Sequence, residues 1–436
     1  MAITVLQKPG DIQAAQSPIV FSVTTSGSQA YTASEFQYTA NLYVWSGNYN
    51  QSGSYLYQAR KYPNSTGSGI FDFSKFINST LTDLSATNGS NVKWYKAEFG
   101  FQYESGSSYV TQSGGLIPVS CSADGTLFRA YDGYDTFLNQ YSYTNPNRYF
   151  DTAINDGIEN SSLGFPILSD AFLVTQSVLS TDHSDLANQT NRQYNKGLSV
   201  FVGTSDAGGS YTPSNISITA SYTTGTVLSA SYNLNPFTSS LTSSAQIVHI
   251  SCAPSDVSWS LYWPTIPVAN LDSYSFKTSP LQASRFNYEV VCQHYYEPVR
   301  VAFKNKYGQF DFLNFYKRHN TTFETDQRLY QPQLGSWGAR TLAIDGYQTK
   351  QQRYIVDATQ TLECNTDWLE EGWNNLMQQL LVSDEIYWLY SQRDSNRLTL
   401  PLTIKTNNLL FKTGVNNKLI QYTIAFDIGQ PYKLIL

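Results

Sequence analysis

Histidine, cysteine and carboxylate spacing is where chemistry would first declare itself, and this chain offers little of it. It has four histidines and four cysteines in 436 residues. His249 alternates within Val248-His-Ile-Ser251 as an ordinary strand residue, and His183 and His319 sit in polar loop sequence. His294 follows Cys292 by two positions, in Cys292-Gln-His-Tyr-Tyr296. Residues two apart on a strand share a face but not hydrogen-bonding reach. No acid adjoins to orient the imidazole, so a Cys/His dyad is a poor reading. Cys121, Cys252, Cys292 and Cys364 lie 131, 40 and 72 residues apart, far from the CxxC spacing of a zinc or redox site. Isolated buried thiols are the simpler account. Acidic pairs exist (Asp132 with Asp135, Asp151 with Asp156, Glu370 with Glu371), but spacing alone selects none of them for glycoside hydrolysis. The same Asp132 and Asp135 lack the further acids of a calcium loop. Ser122-Ala-Asp-Gly-Thr126 resembles a fragment of a sialidase Asp-box but lacks the required spacing and does not recur, so it is set aside. No HExxH, Gly-x-Ser-x-Gly, P-loop or GxGxxG occurs. The expectation is no catalytic residue, no metal site and no cofactor.

Tryptophans remain as binding groups, because an exposed indole stacks on sugars. Of eight, Trp94, Trp259, Trp263 and Trp388 fall on predicted strands and Trp368 and Trp373 on a predicted helix. Those six suit core or interface packing. Trp45, ending a strand at Trp45-Ser-Gly-Asn-Tyr-Asn50, and Trp337, in Gly335-Ser-Trp-Gly338, adjoin loops and are the candidate ligand or interface aromatics.

The elements that must position these residues are strands. Phe36-Gln-Tyr-Thr-Ala-Asn-Leu-Tyr-Val-Trp45 places Phe36, Tyr38, Ala40 and Leu42 on one face, and Ser54–Tyr62 and Lys93–Tyr103 alternate likewise. Phe73, Phe76, Ile77 and Leu81 have helical spacing and predict one short helix. Residues 1–130 therefore read as an N-terminal β-sandwich. Residues 131–165, crowded with Asp, Asn, Gly and Tyr, read as a loop-rich linker. Strand patterns return over 166–297, a second β domain, and again over 298–436, a C-terminal β domain. In the last of these, Asp367 and Glu370 fit a capping box. Leu369, Trp373, Leu376, Met377, Leu380 and Leu381 share one face, predicting a helix near 367–381. The fold class expected is mainly β: two or three antiparallel β-sandwich-like domains with one or two short helices.

Composition narrows the partners. Only 14% of residues are charged, against about 25% in an ordinary soluble domain. The net charge of −6 supplies no basic footprint for nucleic acid or an anionic membrane. The first ten residues lack a basic stretch followed by an apolar one, and the sequence has no apolar run of transmembrane length. Synthesis in a cytoplasm is the expectation. Aromatics reach 15%, with 33 Tyr. Interfaces favour aromatic residues and exclude Lys, Glu and Asp from their centres, so this composition suits a surface that becomes interface.

Four segments carry a resemblance to a known family. Gln7-Lys-Pro-Gly-Asp-Ile-Gln-Ala-Ala-Gln-Ser-Pro-Ile-Val-Phe-Ser-Val23, Gly67-Ser-Gly-Ile-Phe-Asp-Phe73, Val301-Ala-Phe-Lys-Asn-Lys-Tyr-Gly-Gln-Phe-Asp311 and Leu400-Pro-Leu-Thr-Ile404 resemble segments of structural proteins of tailed bacteriophages. The resemblance covers both ends of the chain and not its middle third. It implies β-sandwich modules of a tail, baseplate or head–tail ring, residence in the virion, synthesis in the host cytoplasm, and no enzymatic activity. Partners would be copies of the chain and other virion proteins. The alternative is a receptor- or glycan-binding module at the tail tip, holding a host surface glycan through loop aromatics such as Trp45 and Trp337.

Overall fold

The computed structural model describes residues 3–9, 12–25, 34–46, 54–81, 92–105, 108–111, 117–119, 128–134, 169–171, 174–179, 197–203, 215–233, 245–251, 254, 263–279, 286–291, 295–333, 335–337, 341–343, 351–391, 397–411 and 420–429. The chain is mainly β, built of several antiparallel sheets with two short helices among the described residues. It falls into two compact units. One comprises residues 1–292 together with Lys304–Asp311 and Asn375–Ser383. The other comprises Gln293–Phe303, Phe312–Asn374 and Asp384–Leu436.

In the first unit, Ile3–Gln7, Val20–Thr25 and Ser68–Asp72 make a three-stranded antiparallel sheet. A seven-stranded sheet is built on the long pair Ser34–Trp45 and Val92–Ser105. The alternation of Phe36, Tyr38, Ala40, Leu42 and Val44 buries that face, as period two requires. Phe21, Val23 and Phe71 of the small sheet join Tyr38, Leu42, Ala97 and Phe99 of the large one in a single core. Phe21 sits edge-on to Phe128, with centroids 5.3 Å apart. Two sheets burying one layer of side chains is a sandwich. A close approach between the sheets explains Gly69: a Cβ there would lie 2.7 Å from the Tyr38 ring, whose hydroxyl donates to the Gly67 carbonyl at 2.6 Å. The helix expected beside it is present as Ser74–Asn78, with Ile77 fully buried and Phe76 stacked on Tyr57.

Further along the same unit, Thr175–Leu179, Phe286–Val291, Leu271–Ser279, Asn215–Tyr222 and Val227–Asn233 form a five-stranded sheet in that order. Its Ile216, Ile218, Tyr274, Phe276, Phe286 and Tyr288 are buried. Gly197–Gly203 pairs with Ala245–Ser251 in a two-stranded sheet.

A seven-stranded sheet, whose residues fall in the second unit except for Lys304, Phe310 and Asp311, runs in the order Phe310–Phe315, Val299–Lys304, Ile386–Ser391, Arg397–Ile404, Thr423–Ile428, Gln352–Asn365, Asn320–Tyr330. Val299, Val301, Phe315, Leu362, Cys364, Ile424 and Phe426 are buried in it. The helix expected near 367–381 begins at Trp373 and ends at Val382. Its missing first turns have a physical reason. The Leu369 N–H and C=O both bond to Ile420, at 2.7 and 2.8 Å, as an antiparallel bridge, so that backbone is not free to start a helix. Asp367 accepts from the Trp368 N–H and pairs with Lys317, and so caps nothing.

Candidate functional site

Two features stand out from the ordinary β surfaces: a buried cluster of ionisable side chains in the first unit, and an exposed ribbon in the second.

The cluster is organised by the turn Lys304–Asp311, whose residues all belong to the first unit. Asn305 Oδ1 accepts the N–H groups of Tyr307 and Gln309, each at 2.9 Å, a side-chain-capped turn. Gly308 closes it with φ of +71°, the left-handed region open to glycine. A Cβ on Gly308 would fall 1.4 Å from the Asp132 carbonyl oxygen, so the backbone at 132 and the turn touch with nothing between them. Lys304 Nζ reaches Asp132 Oδ2 at 2.9 Å, and Gln16 donates to the other oxygen of Asp132. Lys306 Nζ reaches Asp170 Oδ2 at 2.8 Å. Asp170 also accepts from Gln379 Nε2 at 2.7 Å and from the Tyr307 hydroxyl at 3.2 Å, while Gln379 Oε1 takes the Lys306 N–H. Asp311 accepts from Ser169 Oγ at 2.6 Å and from Asn305 Nδ2 at 2.9 Å.

Burial dominates the electrostatics of Asp311. Its carboxyl is pushed up to about 7, principally by desolvation, against the downward pull of the Ser169 and Asn305 hydrogen bonds. Asp170 raises it further and Lys306 lowers it. The cluster's carboxylates accept from the chain's own donors, as buried polar groups must, but for Asp311 the cost of burial outweighs those hydrogen bonds. Asp170, Asn305, Gln309 and Asp311 are all buried. Among the described residues, no group of three or more His, Cys, Asp or Glu side chains could hold a metal.

The sequence-derived candidates fall differently. Trp45 is only 8% exposed and packs with Ala14, Val92, Trp94, Tyr131, Ile247 and Tyr307, so the loop-edge aromatic expected to be displayed is a core residue. It ends a strand whose register sets it opposite Trp94, and that pairing turns the indole inward. Trp337 pairs with Leu342 in a short strand, and its side chain lies outside the described residues. Trp368, expected to pack, is 59% exposed, because it precedes the helix instead of lying on its apolar face. Asp132 joins the buried cluster, while Asp135, Asp151 and Asp156 lie outside the described residues and Glu370 and Glu371 are exposed. Cys292, His294 and His183 also lie outside them, as does the His249 side chain. The Cys364 thiol is buried and pushed up to about 12, first by desolvation and then by Glu363.

The buried cluster had one sequence signal. Lys304, Asn305, Lys306 and Asp311 interrupt an otherwise apolar hairpin, and charge in such a setting must be paired. Ser169, Asp170 and Gln379 had none, being more than 70 residues away along the chain.

The second feature is the hairpin Asn320–Tyr330 with Gln352–Asn365. All eleven residues of its outer strand are exposed. Among the described residues, only Thr361–Asn365 of the inner strand pair onward, with Thr423–Ile428, so there the stretch from Gln352 to Gln360 pairs with the outer strand alone. Phe323, Leu329, Tyr330 and Tyr354 are large exposed groups on this ribbon.

Fold and site together define a mainly β protein with a largely buried polar cluster and an exposed two-stranded ribbon. The sequence matches no model of a known protein family and no curated protein.

Proposed function

We propose that this chain is a non-enzymatic structural protein of a tailed-phage virion, in the tail, baseplate or head–tail region, acting through association with its own copies and docking of other virion proteins. The single observation carrying the reading is the ribbon of Asn320–Tyr330 and Gln352–Gln360. All of Asn320–Tyr330 is exposed, and among the described residues this strand pairs on one side only, with Gln352–Asn365. A two-stranded ribbon is marginal in water by itself, and an edge strand is a template for further pairing. Such an element gains its stability from a neighbour. The resemblance of four segments to tailed-phage structural proteins supplies the class, and the low charge and abundant tyrosine agree with it. The test is assembly: the purified protein forms a ring or a complex with other virion proteins, and antibodies to it label disrupted particles. A strictly monomeric protein absent from particles would end this reading.

The exposed Trp368 indole favours a second reading, a module binding host surface glycan. Loss of glycan-array signal in Trp368→Ala or Trp337→Ala would support it. An assembly protein shows no glycan signal in any variant.

A further inference from the structure

We propose that the outer strand Asn320–Tyr330 pairs antiparallel with the same strand of a second copy, about a two-fold axis through Gln327. The inference rests on the self-assembly reading and names the surface and the register.

Within the described residues this strand is the edge of its seven-stranded sheet. Edges kept apart from one another are blunted by bulges, prolines or clustered like charge. Here the ribbon's bulge falls on the inner strand, where Tyr354 is the extra residue between the pairs Arg328↔Ile355 and Leu329↔Arg353. The outer strand runs through without interruption, and Asn320–Tyr330 contains no proline.

Charge selects the occupant. Glu324, Asp326 and Arg328 alternate along one face, so they line up on the same side of the strand. Glu324 has a cation in Lys405, at 3.6 Å. Asp326 does not, and its cross-strand partner is another acid, Asp357. Like charges directly opposite destabilise a ribbon. A cation on the outer side of Asp326 relieves that pair, and the strand carries one of its own in Arg328, which has no ion-pair partner among the described residues.

Geometry then fixes the register. A two-fold axis normal to a sheet sets opposite each other residues equally spaced about one central residue. Centring on Asp326 opposes that acid to itself, and centring on Thr325 opposes Glu324 to Asp326. Centring on Arg328 opposes two guanidinium groups. Centring on Gln327 sets Arg328 opposite Asp326 of the partner subunit, and Asp326 opposite the partner's Arg328. It also sets Leu329 opposite the partner's Thr325 and Tyr330 opposite the partner's Glu324. Each row then runs Asp357, Asp326, partner Arg328, with the cation beside the acid pair. The two ribbons become one four-stranded sheet in which the outer edge of each Asn320–Tyr330 strand is paired.

Cysteine placement tests the register. Directly opposed residues have Cα atoms about 4.5–5.5 Å apart, within disulfide reach. Under oxidation, full-length Gln327→Cys gives a disulfide-linked dimer. Thr325→Cys does not, because its symmetry mate lies four residues away, roughly 14 Å at the strand rise. The wild-type chain, with its native cysteines, is the background. Charge reversal gives the independent arm. Asp326→Arg or Arg328→Asp alone weakens self-association by at least about tenfold, and the double reversal returns it to within roughly threefold of wild type. Asp326→Arg also removes the acid pair with Asp357, so its monomer does not unfold more readily than wild type, which separates lost docking from lost folding. If wild type assembles while Gln327→Cys stays unlinked, or the double reversal fails to rescue, the register is overturned and the assembly reading stands. If no variant and no wild-type sample self-associates or joins particles, both are overturned.

Discussion

Replacing Asp311 by Asn removes a buried ionisation while keeping its shape, and the consequence can be worked from its surroundings. Asp311 accepts from Ser169 and Asn305 and faces Asp170 and Lys306, and burial lifts its carboxyl from an ordinary 3.8 to about 7. An acid whose folded pKa is raised is protonated in both states below about pH 4. Between about pH 4 and 7 only the folded state keeps the proton. The stability present at low pH is therefore lost as pH rises, and the loss is complete once pH passes the folded value of about 7. At 1.36 kcal/mol per unit the full effect is roughly 4 kcal/mol. Asp311→Asn is neutral at every pH and has no such slope. The assay is urea unfolding of wild type and variant from about pH 4.5 to 8. Other titrating groups cancel in the difference, which should favour Asp311→Asn increasingly as pH rises. Infrared spectra of the wild type at about pH 5 should also show a protonated carboxyl stretch missing from the variant. A stability difference that stays constant with pH, with no such band, would show that Asp311 ionises normally inside the fold.

Gly308→Ala should destabilise by about 2–5 kcal/mol, from left-handed strain plus overlap with the Asp132 carbonyl, read as a lower unfolding midpoint. Trp45→Ala should cost about 3–5 kcal/mol as a core truncation, seen in the same assay, while leaving any glycan binding unchanged. The Cys364 thiol should resist iodoacetamide in the folded protein at neutral pH and react on unfolding, as mass mapping of the labelled peptide would show.

The strands were the legible part. Period-two alternation marked Phe36, Tyr38, Ala40 and Leu42 as one face of a sheet, and helical spacing of Phe73, Phe76, Ile77 and Leu81 marked a short helix, observed as Ser74–Asn78, because those patterns arise from backbone geometry alone. The helix near 367–381 was half legible. Its apolar spacing was right from Trp373 onward, but the pairing of Leu369 with Ile420 claimed the preceding backbone, and no local propensity competes with two made hydrogen bonds. Trp45 shows the other failure. Loop residues on its C-terminal side suggested exposure, whereas the register opposite Trp94 buried it.

Sequence alone determined the fold class, since side-chain alternation and β-branched and aromatic content act over neighbouring residues. Tertiary structure decided which charges meet. Asp170 meets Lys306 and Gln379, and Ser169 meets Asp311, across separations that no local pattern encodes. It also decided which strand is left at an edge. Whether Asn320–Tyr330 lies inside a sheet or at its rim depends on what packs beside it, and that is a property of the whole chain's path.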